Sequence, residues 1–233
     1  GETLNVLVGG YPFKDEDVKE KVKLTVLQKL NERYGMKESD FISAELCAVP
    51  AFKARDVGFD RALVGGYGHD DRVCSYPAMT ALGESKDTLH TVVVVLADKE
   101  EIGSEGVSGM QCEIFSDLVD FLAASQGKPS SLVRLKSKCL SADVTAGYDP
   151  NFASVFEKKN SSIVSCGTAL CKFTGAGGKS GSSDASAELV GEVRRIFNEA
   201  GVNWQMAELG KVDAGGGGTV AKYIAKLNID TID

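Results

Sequence analysis

The feature that most limits what this chain can fold into is an apolar run, His90 to Ala97, that ends abruptly in Asp98-Lys99-Glu100-Glu101-Ile102-Gly103-Ser104-Glu105-Gly106. Valine and leucine bounded by charge and glycine predict a buried strand. Such a strand needs neighbours on both edges and helices over its faces, which points to an α/β chain. The acidic tip then lies at the strand's carboxyl end, where ligands bind in open α/β sheets. Two adjacent carboxylates on an irregular tip can face different ways, one toward a metal ion and the other toward a proton to be moved.

The segments around this run alternate in period. Val18, Val22, Val26, Leu27, Leu30 and Tyr34 recur at three- and four-residue steps, predicting a helix capped by Asp15 or Asp17 and stopped by Gly35. Leu4 to Val8 and Ser43 to Val49 read as strands on either side of it. Residues 1 to about 60 therefore form a small strand-helix-strand part with no concentrated chemistry, suited to structural or interface duty. From Arg55 to Tyr76 glycine, aspartate and arginine mark connecting loops, and Cys74 to Leu82 starts a helix. After the central run, Val107 to Ala124 carries Met110, Ile114, Leu118, Phe121 and Leu122 at helical spacing, read as core packing. Cys139 to Val144 predicts a short strand, Ser183 a cap for a helix through Ala200, Val202 to Leu209 a strand, and Thr219 to Leu227 a helix. This alternation predicts an α/β three-layer sandwich with a mostly parallel mixed sheet.

Composition removes several function classes. A formal net charge of -7 over 233 residues leaves no concentrated basic surface for nucleic acid or an anionic membrane. No stretch approaches the roughly 18 to 20 apolar residues of a membrane span, so the cytoplasm is the expected location. The six cysteines show no CxxC spacing and read as buried free thiols. Gly175-Ala176-Gly177-Gly178-Lys179-Ser180 fails as a P-loop because Phe173 stands where the first glycine should be. Gly215 to Gly218 can cradle an anion or serve close packing of helix on sheet.

Three acidic features remain where loops can converge: Asp71, Glu100 with Glu101, and Asp143. A hydrolase with two divalent ions about 3.5 to 4 Å apart needs a carboxylate between them, further ligands for each, and an unligated glutamate to take a proton from water. These four residues supply those roles. His69-Asp70-Asp71-Arg72 also reads as ordinary solvated loop charge, because neighbouring side chains usually diverge. A lone Asp143 at a strand end is equally a cap or turn residue.

Gly68-His69-Asp70-Asp71-Arg72, the Asp98 to Gly106 segment, Ser141-Ala142-Asp143-Val144 and Asp149-Pro150-Asn151 together resemble the zinc aminopeptidases that include the aspartyl aminopeptidases. The likeness is dense from about Arg55 to Asp230. It implies that Asp71 bridges two zinc ions, Glu101 binds one, Asp143 binds the other, and Glu100 is the general base. Peptide substrates, a homo-oligomer and an oligomerisation lobe in residues 1 to about 60 are implied likewise, with the catalytic domain over residues 61 to 233. The stretch Gly175 to Ser182 and the loop Asp213 to Thr219 resemble the family's substrate-side loops, which brings in Asp213 and Gly216. A pocket for acidic first residues needs a cation, for which Lys172 and Lys179 are candidates, with surface solvation as the plainer reading. The family also uses two histidines that have no counterpart here; His69 and His90 match neither role. From that departure and the abrupt ends, the chain is expected to be a piece of a longer enzyme, lacking a C-terminal strand and helix and inactive by itself. A non-catalytic oligomeric scaffold is the alternative.

Overall fold

Helical periodicity and short turn signals organise the chain separately in two compact units, Gly1–Tyr67 and Gly68–Asp233. The structure, a computed structural model, describes residues 5–86, 88–176, 180–211, 213–214, 216–217 and 219–233.

In the first unit the apolar steps form helix α1, Lys21–Tyr34. Gly35 ends it in the left-handed conformation (φ 71), its N–H donating to Asn31 O at 2.8 Å, as the sequence predicts. The residue before the helix is Glu20, not Asp15 or Asp17. Asp15 instead accepts from the Asp17 N–H at 3.0 Å in a local turn. Residues 5–8 and Ser43 to Val49 form no strand; Leu46 and Val49 are exposed. A strand needs a ladder partner, and neither segment has one among the described residues. The pairing in this unit is an antiparallel hairpin of β1 (Arg55–Val57) and β2 (Leu63–Gly65).

The second unit opens with helix α2, His69–Glu84. The run expected to be the central strand departs from expectation. It is not in a ladder, its contact being an isolated bridge of Asp98 to Gly109, and Val92, Val93, Val95 and Leu96 are 43 to 55% exposed. Composition ranks a segment by what it would bury, but a strand is made by neighbours. A short 3-10 turn, Glu100–Ile102, lies between Lys99 and Gly103, both with positive φ. Then come α3 (Ile114–Ser125), α4 (Ser130–Lys136), β3 (Lys138–Leu140), β4 (Thr168–Leu170), β5 (Phe173–Ala176), β6 (Ser180–Asp184), α5 (Ala187–Glu199), β7 (Trp204–Met206), α6 (Ala221–Ala225) and β8 (Asp230–Ile232). Helix α3 buries Ala123, while Ile114 and Phe121 of the predicted apolar face are exposed. The class is α/β: β3 pairs with β8 and β4 with β7 in parallel, while β5 and β6 form an antiparallel hairpin.

The core sits under α5. Leu189, Val190 and Val193 pack with Leu170, Ala185 and Ile232, flanked by Phe197 and Trp204. The cap of α5 is Ser186 rather than Ser183: its Oγ accepts from the Leu189 N–H at 3.1 Å and donates to Asp230 Oδ2 at 2.5 Å. One hydroxyl thus ends the helix and ties it to β8. Ile196 on the same helix is 47% exposed. This packing holds the carboxyl ends of β3 and β8 side by side, with the Ser141 N–H donating to Ile232 O at 2.8 Å. No helix among the described residues is long and apolar enough to cross a membrane.

Candidate metal centre

Asp71 and Asp143, 72 residues apart, come together with Asp70 in one cluster whose ligand atoms all lie within 4.8 Å of one another. Asp70 and Asp71 begin α2 but leave helical geometry (φ -80, ψ 113 and φ -119, ψ 43), and the peptide between them is cis. On a regular helix, neighbouring side chains point about 100° apart. Here both carboxylates reach one place. Asp143 follows β3, whose register beside β8 sets its position, and its Oδ1 accepts from the Val144 N–H at 2.7 Å. Asp71 Oδ1 is shut off from solvent with no hydrogen-bond partner among the described residues.

The site is strongly electronegative. Burial chiefly pushes Asp143 up to about 6; the Val144 N–H opposes this, while Glu100, Asp71 and Asp233 add to it. Glu100 is likewise raised, by burial first and then by Glu101 and Asp70. The Cys74 thiol, one turn beyond Asp71, is pushed up to about 12 by burial and then by Asp71. Carboxyls raised together in this way want either protons or a cation. An orphaned buried oxygen within a three-carboxylate cluster fits a divalent ion, and zinc accepts aspartate oxygens as ligands.

Not every expected residue joins the cluster. Glu101 is exposed on the tip and lies outside it, while Glu100 is half-buried beside it. His69 is exposed and also outside. Lys172 Nζ is paired with Asp184 and donates to Ala185 O at 2.8 Å. Lys179 lies outside the described residues. Asp213 has positive φ (63) in the loop before α6. Gly216 has φ 98, and a β-carbon there would sit 2.7 Å from Gly175 O and 2.9 Å from Leu209 O, so its own packing demands glycine.

Two acidic residues stand out to which the sequence pattern assigns no role. Asp70 is visible as a member of the His69-Asp70-Asp71 run, but adjacency argues against it. Asp233 follows β8, accepts from Ser141 Oγ at 2.9 Å and from Thr219, and is raised chiefly by burial. Its signal is its place just past a strand, the same signal that marks Asp143.

A family model described as aminopeptidase I zinc metalloprotease (M18) matches residues 4–233. A probable M18 family aminopeptidase 1 from Clostridium acetobutylicum is 48% identical over 237 residues, covering 100% of this chain and 51% of its own length. A crystal structure of aminopeptidase I from the same organism has a TM-score of 0.88 at 47% identity, over 98% of this chain and 50% of that one. An M18 aminopeptidase structure from Thermotoga maritima likewise gives 0.88 at 44% identity, over 97% of this chain and 51% of that one. The chain spans about half the length of the curated relatives it matches.

Proposed function

From the premise that this chain belongs to the M18 aminopeptidase I family of zinc metalloproteases, we propose that a polypeptide of the relatives' full length carrying it removes N-terminal residues, acidic ones by preference, from peptides. The observation that carries the reading is the meeting of Asp70, Asp71 and Asp143 around the unpartnered Asp71 oxygen. Four roles follow from the residues. Asp71, with Asp70 beside it in the cluster, would be the carboxylate shared by two zinc ions. Asp143 would hold one ion. Glu101, exposed on the neighbouring tip, would serve the other. When bound, zinc polarises the scissile carbonyl and activates water.

Glu100 is assigned the proton. Half-buried and raised above an ordinary glutamate by burial and by its carboxylate neighbours, it holds a proton more readily than an exposed glutamate, which suits an acid-base group. It takes a proton from the attacking water and returns it to the leaving amine. The surrounding carboxylates also attract the positively charged amino terminus of a peptide, which favours cleavage at the first bond. The first unit is assigned to assembly of a homo-oligomer, and the peptide pool of the cytoplasm to the substrate. A purely scaffolding role leaves the buried Asp71 oxygen without a purpose.

The deciding experiment is zinc content after exhaustive dialysis, paired with hydrolysis of glutamyl and leucyl anilides, on a polypeptide of the relatives' length. The expected result is about two zinc ions per chain and faster turnover of the glutamyl substrate. Retention of no zinc overturns the assignment.

A further inference from the structure

Resting on the aminopeptidase reading above, we propose that Lys222 is the cation that receives a substrate carboxylate at this site. Lys172, the lysine the sequence offered, is already engaged by Asp184 and Ala185 O. Lys222, on the short helix α6, has no carboxylate within ion-pair distance among the described residues.

One contact and one open space define the place of its ammonium. The Nζ lies 4.9 Å from the Tyr223 ring centroid, a cation–π contact that positions the charge without neutralising it. It also lies 3.4 Å from where a β-carbon would stand at Gly181, on β6. Glycine there leaves room for the ammonium against the β5–β6 hairpin, and φ 61 disfavours any other residue. The Tyr223 hydroxyl in turn donates to Gly103 O at 3.4 Å, linking α6 to the acidic tip that carries Glu100.

A half-buried lysine on the helix tied to the acidic tip, with no ion partner among the described residues, is suited to a ligand that brings a negative charge. A peptide can offer that charge from two sources. One is the side chain of an acidic first residue, and the other is the terminal carboxylate of a dipeptide.

The test measures kcat/KM for four substrates: glutamyl anilide, leucyl anilide, Leu-Gly and Leu-Gly amide, using the zinc-loaded polypeptide of the relatives' length. Lys222→Met is expected to lower the rate constant for glutamyl anilide about 10- to 100-fold more than for leucyl anilide, the scale of a hydrogen bond to a charged group. Lys222→Arg is expected to restore most of that difference. A loss concentrated instead on Leu-Gly relative to its amide also supports the proposal and identifies the terminal carboxylate as the source. Equal losses on all four substrates overturn it, because Lys222 then acts through Glu100 or the fold. Wild-type protein that binds zinc but cleaves none of the four overturns the aminopeptidase reading itself, a distinct result.

Discussion

Two carboxylate-rich regions of the second unit use the same side chains in opposite ways. Around α5, Asp184 is paired with Lys172, Glu192 with Lys138, and Asp230 accepts from Ser186, the cap of the helix. Around the start of α2, Asp70, Asp71 and Asp143 crowd together, and a buried oxygen of Asp71 has no partner among the described residues. Satisfied carboxylates explain themselves as fold. Unsatisfied ones do not, because a buried acceptor left alone costs about 1 to 3 kcal/mol. The difference separates structure from chemistry within one domain.

The comparison breaks most visibly at Glu100. Glu100→Gln keeps the shape and removes the proton carrier, so the zinc-loaded enzyme should lose about 100- to 10,000-fold in kcat with zinc content unchanged by elemental analysis. If kcat survives, the acidic region is not catalytic in the way assigned. On the structural side, Leu189→Ala should cost about 2 to 5 kcal/mol in denaturant unfolding, because Leu189 lies in the packed core under α5. It should leave the zinc affinity of the folded protein near that of wild type.

Acidity sharpens the contrast next. Asp143 has a folded-state value of about 6 against an ordinary 3.8. The folded protein therefore holds the proton more tightly than the unfolded chain. Between about pH 4 and 6 the metal-free protein should lose stability as pH rises, by about 1 to 2 kcal/mol once solvent screening of a half-buried carboxyl is allowed for. Zinc should reverse that slope, since the ion replaces the protons. Unfolding midpoints across this range, with and without zinc, give the check. A flat metal-free profile would show that burial does not hold the proton on Asp143. The smallest effect belongs to Ser186→Ala, which removes the cap of α5 at a cost of about 1 kcal/mol, whereas Ser183→Ala should cost less than the cap does.

Much of this is legible in the order of residues alone. The helices α1 and α5, the Gly35 stop and the α/β class follow from residue period, because apolar spacing reports which face a segment buries. The acidic tip and Asp143 are legible because charge following an apolar run is a local pattern. The cap of α5 lies three residues beyond the serine that local pattern favours, since Ser183 and Ser186 are chemically alike and only Asp230, 44 residues on, selects the second. The central run reads as a paired strand, yet pairing depends on neighbours that no local pattern names.

The sequence by itself therefore determined the class of fold, the family and the short list of carboxylates, all properties of local order along the chain. Tertiary structure alone decided which of those carboxylates meet. It brought Asp70 in beside Asp71 despite their adjacency, left Glu101 at the surface, engaged Lys172 with Asp184 and left Lys222 without an ion partner among the described residues. The physical reason is that side-chain charge is set by residue type, but its burial and its partners are set by segments distant in sequence.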